Sequence, residues 1–441
     1  MKIPAQRLFA LILTSVSTLP AQTVDDTVLK QVIIFGRHAV RTPVLPNQAL
    51  DHFSALPFPD FSATGISVIT PNGAKNETNL GAYFRLWLIQ ERLLSGNDTA
   101  DSNFVYFRAN NPPLITDTAK AFWSGMLPTA GAPKIDVISP GNDPLFSPVA
   151  AGVALLDSEK AVAAVNGRIG GNPQALASAY APELALTRSI LFHYSANSTP
   201  VPPTPAGKFD VTDFSTMPIV VAPGNSSAPV NLGGLNNVIY AIDPFVMEYA
   251  DGLPDAEVGW GQLSAGGISQ TFRLYNLALD LEYRTPYLAR VQSSNLASHI
   301  ARSLVQGATG NPTPGALASP TTKVIALIAA NTNIAGLAGL FHLDWLLPGY
   351  QPDVSAPSGA LVFELRQSMS SGEYIVRTSY VAQTMDQLRH QTALTLAAPP
   401  AIAPVFIPGC SMNNATFDCL LADFVQVTGQ AIDPDSVDFV N

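Results

Sequence analysis

Val32-Ile33-Ile34-Phe35-Gly36-Arg37-His38-Ala39-Val40-Arg41-Thr42-Pro43 is an apolar run that ends in two arginines flanking one histidine. The run reads as a buried strand, and the charged residues as the start of the loop that follows it. Charges presented by a buried strand carry a desolvation cost that ordinary core filling does not justify. Guanidinium groups are planar, always-charged forks that match phosphate or carboxylate oxygens, and a neighbouring imidazole can act as nucleophile or proton carrier. The stretch therefore predicts an anion site at a strand end. A surface loop whose arginines pair with acids elsewhere is the competing reading, and the apolar strand that presents the loop ranks it lower.

The whole chain bounds what that site serves. Its 441 residues suffice for one large domain with an insertion, or for two domains, and 47% hydrophobic with 13% charged residues marks a packed globular protein. A net charge of -10, with no basic stretch to neutralise a row of phosphates, argues against nucleic acid as a partner. Any anion must be met locally. Met1-Lys2, Arg7, the apolar run Leu8 to Leu13 and small Ala21 read as a signal peptide over residues 1–21, so an exported, periplasmic or extracellular protein is expected. No later run is long enough to span a bilayer. In an exported chain the two cysteines, Cys410 and Cys419, are expected to pair, and their spacing is not that of a redox motif. There is no glycine-rich phosphate loop, no Gly-x-Ser-x-Gly elbow and no His-Glu-x-x-His, and the six histidines are scattered, so neither a metal nor a cofactor is expected.

Arg37-His38-Ala39-Val40-Arg41-Thr42-Pro43 also resembles the signature of the histidine acid phosphatases, Arg-His-Gly-x-Arg-x-Pro, with Ala39 in place of glycine. The resemblance implies that His38 attacks phosphorus to form a phosphohistidine and that Arg37 and Arg41 hold the phosphate. It also implies an α/β fold: a mixed, mostly parallel sheet flanked by helices, with residues 22–146 and 271–441 as the core and 147–270 as an inserted, mostly α-helical domain. Further segments fit the family order from about Val32 to Gln426. Thr70-Pro71-Asn72-Gly73 resembles the Leu-Thr-Pro-x-Gly helix start, with Thr70 as cap and Pro71 in the first turn. Thr271 to Ala289 reads as one returning helix, Pro404-Val405-Phe406-Ile407 as a late strand.

Elsewhere the family's machinery is altered. The phosphate-binding arginine expected before the helix Thr116–Met126 falls on Leu114, leaving Arg108 as a substitute ligand for substrate. Ala329-Ala330-Asn331-Thr332-Asn333 stands where the family has Gly-His-Asp-Thr-Asn, so its second histidine becomes Ala330 and its proton-donating acid becomes Asn331. Asp243, in a segment resembling a helix that carries an acid, reads equally as a candidate acid and as a helix cap before Pro244. A general acid contributes about 10²–10⁴-fold in rate, and an amide cannot deliver a proton. These losses argue against efficient, broad phosphatase action and against phytate. The favoured reading is an enzyme of altered mechanism, in which His38 transfers or hydrolyses a phosphoryl group of a sugar phosphate or sugar-like substrate. Asp243 or the substrate would then supply the proton, and Asn331 would bind a hydroxyl. A weak acid phosphatase, a glycan-processing enzyme built on Asp243 without a phosphoenzyme, and a catalytically silent binding protein are the alternatives.

Overall fold

The structure is a computed structural model and describes residues 25–438; the expected signal peptide lies outside them. β1 (Thr27–Arg37) is buried from Gln31 to its end, and alternate side chains enter two different cores. Ile33 and Phe35 pack on one face with Leu327, Leu361 and Phe363, whereas Val32 and Ile34 pack on the other with Val324, Ala326 and Val362. Successive side chains of a strand point to opposite faces, so a continuous apolar run is what a strand covered on both sides requires.

The chain continues through α1 (Asn47–Leu50), α2 (Pro71–Gln90), α3 (Asp98–Asp101), β2 (Val105–Ala109) and α4 (Pro113–Met126). It then passes through α5 (Ser158–Arg168), α6 (Ala175–Ala179), α7 (Ala181–Leu191), the hairpin β3 (Ile219–Pro223) and β4 (Val230–Gly233), α8 (Gly234–Ala250), α9 (Ala265–Glu282) and α10 (Pro286–Thr309). β5 (Val324–Ala329), α11 (Asn331–Phe341), β6 (Ala360–Ser368), β7 (Tyr374–Ala382), α12 (Met385–Arg389), β8 (Ala401–Pro404), β9 (Cys419–Leu420) and α13 (Leu421–Ala431) complete it. The main sheet runs β2-β5-β1-β6-β7-β8, with β9 beside β7. β2, β5 and β1 are mutually parallel, and β6 onward is antiparallel.

Three details differ from the sequence reading. Thr271 to Ala289 is not one helix: α9 stops at Glu282 and Pro286 opens α10, a first-turn position where its missing N–H costs nothing. The late strand is β8, ending rather than beginning at Pro404, because beyond it Ile407 N–H turns to Ser411 Oγ. Asp243 is not a cap; it lies within α8, with Pro244 inside the same helix. Cys410 and Cys419 are disulfide-bonded, their Cα atoms 5.2 Å apart.

Helix packing is close where it supports the site. At Gly81 a Cβ would stand 2.2 Å from the Phe122 carbonyl oxygen, and at Gly125 2.0 Å from that of Thr78, so α2 and α4 approach backbone to backbone.

Three buried glutamates shape the dependence of stability on pH. Burial pushes Glu77, Glu248 and Glu282 from 4.5 up to about 8, against a hydrogen bond from Gly259 N–H to Glu248. Each folded-state value lies above the unfolded one, so the folded protein holds protons that the unfolded chain has released. Their contribution is complete below about pH 4.5 and is lost as pH rises through about 8. His38, lowered by its burial and by Arg37 and Arg41, works in the opposite sense only up to 6.5. The thermal midpoint is therefore expected to fall between pH 6.5 and 8, and to fall less steeply in Glu248→Gln; equal slopes would refute the assignment.

Candidate active site

The carboxyl ends of β1 and β5 lie side by side, with Arg37 in register with Ala329. Crevices at such parallel strand ends, where the order of the sheet changes direction, are where α/β sheets place ligands. His38 N–H donates to the Ala329 carbonyl at 2.9 Å, and the His38 carbonyl accepts from Ser358 N–H at 3.2 Å. The end of β5 and the turn at Ser358 thus fix the backbone of the nucleophile candidate. The next turn is pinned from a third side: Ala39 N–H donates to Thr118 Oγ1 at 3.1 Å, and that hydroxyl in turn donates to the Leu114 carbonyl.

The start of α2 closes the loop from below. Thr70 Oγ1 caps the helix by accepting from Gly73 N–H, and Thr70 N–H reaches the Val40 carbonyl. A Cβ at Gly73 would lie 2.2 Å from that same carbonyl oxygen, which is why glycine stands there. Thr42 pairs with Val68 through both its backbone and its hydroxyl.

The three charged side chains of the loop are all buried, in different ways. Arg37 has no exposed surface; Nη1 donates to the Ser355 carbonyl, while Nε and Nη2 have no partner among the described residues. Arg41 is held by both oxygens of Asp243, at 2.8 and 3.1 Å. His38 Nδ1 lies 2.9 Å from the carbonyl oxygen of Ala39, which can only accept. The neutral ring therefore carries its proton on Nδ1 and its lone pair on Nε2. Burial first, and then Arg37 and Arg41, hold the imidazole well below its usual range, so that lone pair is present at neutral pH.

A cleft of about 510 Å³ opens over this loop. His38, Arg41, Tyr275 and Asn331 supply polar lining, and Val44, Ile66, Val68, Ile69, Leu114 and Ile115 supply apolar walls. Asn331 is the first residue of α11 and follows β5 after the single residue Ala330, which also lines the cleft. Its Nδ2 donates to the Tyr275 hydroxyl at 3.0 Å.

Arg37, His38, Arg41, Asp243 and Asn331 are thus brought together, but not all as expected. Asp243 serves as a hydrogen-bond acceptor for Arg41, whereas an acid must have a proton to give. Arg108 is not in the cleft: its Nε and Nη2 donate to the fully buried Asp143 at 2.8 and 2.7 Å, which occupies the fork that a phosphate would need. Leu114 does line the cleft, so a hydrocarbon stands where the resemblance puts an arginine. His342 and Asp344 lie beyond α11, and Asp344 pairs with Arg284. Sequence reasoning missed Thr118 and Tyr275. Both sit in amphipathic runs whose pattern is that of packing helices, and only the fold turns them to the site.

Similarity to known proteins extends over the whole molecule. Residues 28–186 match the family model of the histidine phosphatase superfamily (branch 2). A Hafnia alvei phytase solved with tartrate is 30% identical, with a TM-score of 0.80 over 95% of this chain and 100% of that one. The chain belongs to branch 2 of the histidine phosphatase superfamily. Phytase AppA of Escherichia coli (strain K12) is 28% identical over 415 residues, spanning 93% of this chain and 94% of that protein. A glucose-1-phosphatase of Providencia rettgeri is 25% identical over 92% of this chain and 93% of its own.

Removing the partner of a buried charge is more damaging than never having had the pair, at about 3–5 kcal/mol. Asp243→Asn is expected to lower the free energy of unfolding by that amount in urea denaturation, with part of the loss recovered in inorganic phosphate. A midpoint that does not move would show that Arg41 does not depend on Asp243.

Proposed function

We propose that this protein is an exported phosphomonoesterase of altered mechanism, which uses His38 as nucleophile on a singly phosphorylated, weakly charged substrate such as a sugar phosphate. The observation that carries the reading is the buried Arg37 guanidinium with Nε and Nη2 unpaired among the described residues, next to an imidazole whose Nε2 meets no partner among them. A guanidinium left without partners in the interior is costly unless an anion completes it. A neutral imidazole beside it is a nucleophile for phosphorus.

The names of the relatives support a phosphate ester of a polyhydroxy alcohol, since they are phytases and glucose-1-phosphatases. The cleft itself favours few charges. Leu114 stands where the resemblance puts a cation, Ile66 at the rim is 52% exposed, and among the described residues the charged lining is Arg41 and Asp117. A substrate with several phosphates would find one acid and hydrocarbon walls where it needs cations. Glycan chemistry through Asp243 has less support, because that carboxylate is engaged by Arg41.

With p-nitrophenyl phosphate, His38→Ala is expected to lose more than about 10³-fold in kcat, as removal of a nucleophile does. Wild-type protein quenched in base is expected to retain phosphate on His38, and phytate is expected to be turned over more slowly than glucose phosphates. Hydrolysis that survives in His38→Ala would sink the proposal.

A further inference from the structure

We propose that the Tyr275 hydroxyl is the proton donor to the leaving group, the part that Asn331 cannot play. This rests on His38 acting as nucleophile.

The polar lining of the cleft offers few groups with a proton to give. His38 commits its Nδ1 proton to Ala39, Arg41 is chelated by Asp243, and Asn331 is an amide. Asp117 belongs to the rim, where it is half-exposed and paired with Lys120, and Ser67 offers an aliphatic hydroxyl, a far weaker acid than a phenol. Tyr275 is buried in the cleft wall, its ring stacked on Phe272 with centroids 4.5 Å apart. Its hydroxyl accepts from Asn331 Nδ2 and donates to no group among the described residues. The amide occupies the oxygen and leaves the O–H free for a substrate atom. Asn331 thereby acts on the same proton transfer that a carboxylic acid at its position would perform, by holding the donor instead of being it.

The steps balance without a further reagent. His38 Nε2 forms a bond to phosphorus as the bond from phosphorus to the ester oxygen breaks, and that oxygen takes the Tyr275 proton to leave as an alcohol. The tyrosinate that remains accepts the Asn331 amide and faces Arg37 and Arg41. Water then attacks phosphorus, Tyr275 regains a proton from it, and the bond from phosphorus to nitrogen breaks to release phosphate.

The charged and titratable groups facing the hydroxyl are Asp243 from α8, Arg37 and Arg41 from β1 and its loop, and Tyr283 at the end of its own helix; Asn331 faces it from α11. Burial, followed by Asp243, holds the phenol above its ordinary value of 10, while both arginines and the amide pull the other way. The donor is consequently protonated throughout the range in which a carboxylic acid would have lost its proton.

Leaving-group dependence tests the idea. An alkyl phosphate such as glucose 6-phosphate needs an acid, whereas p-nitrophenolate departs largely unaided. Tyr275→Phe is expected to reduce kcat about 10²-fold for the alkyl ester and at least tenfold less for the aryl ester. In the wild type, the ratio of alkyl to aryl kcat is expected to stay level from pH 5 to 9 and to collapse only as tyrosine ionises. Equal losses for the two esters, no loss for either, or a ratio that falls near pH 4–5 would each overturn the proposal. Absence of phosphate on His38 in both enzymes would instead show that the underlying nucleophile assignment is wrong, and the donor assignment would fall with it.

Discussion

A guanidinium with no exposed surface and one carbonyl for a partner is the feature to which the rest of the site answers. Arg37 ends the strand that is covered on both faces, so it cannot move toward water without breaking the register with β5 and β6. Its charge has to be tolerated by what surrounds it, and the surroundings are tyrosines and Arg41–Asp243. In such a medium a fixed positive charge acts on its neighbours far more strongly than in solvent. Burial of the ring acts first and this charge adds to it, so the adjacent imidazole is neutral, which is its reactive form.

Arg41 resolves the same problem differently, and in doing so joins distant parts of the chain. It borrows Asp243 from α8, in the stretch between the two halves of the α/β core, so that a residue 202 positions away completes the loop after β1. The pair leaves Arg41 geometrically fixed but electrostatically offset. The position of helix α8 therefore sets how much of the Arg41 charge a ligand can feel.

The loop Arg37–Thr42 was legible because its chemistry is contiguous in sequence and its strand is apolar throughout. So were Ala330 and Asn331, since they follow a buried strand and precede a helix at a fixed distance. What could not be read were pairings across the fold. Arg108 looked free at the end of β2 because nothing local shows that Asp143 turns back to take its guanidinium. The cap reading of Asp243, offered equally with that of a candidate acid, rested on a following proline opening helices more often than it interrupts them, and Pro244 lies inside α8. Tyr275 carried no signal at all: the spacing of its helix is that of packing, and its value comes from meeting Asn331 of α11, a contact only tertiary structure makes.

Counting charges around His38 shows what the uncharged Leu114, Ala330 and Asn331 mean together. Arg41 and Asp243 cancel, His38 is neutral, and Arg37 is left as one positive charge, helped by the partial charge of the α11 N-terminus at Asn331. A phosphate monoester carries close to two negative charges above its second ionisation near pH 6. A site with about one positive charge matches the monoanion, in which one phosphate oxygen keeps its proton. Weak neutralisation thus selects on the ionisation of the phosphate and not on how readily the ester oxygen leaves. Proton donation to the leaving group discriminates between alkyl and aryl esters and is indifferent to that ionisation. The two consequences of one site are therefore separable: the first lies in how the phosphate is bound, the second in how the alcohol departs.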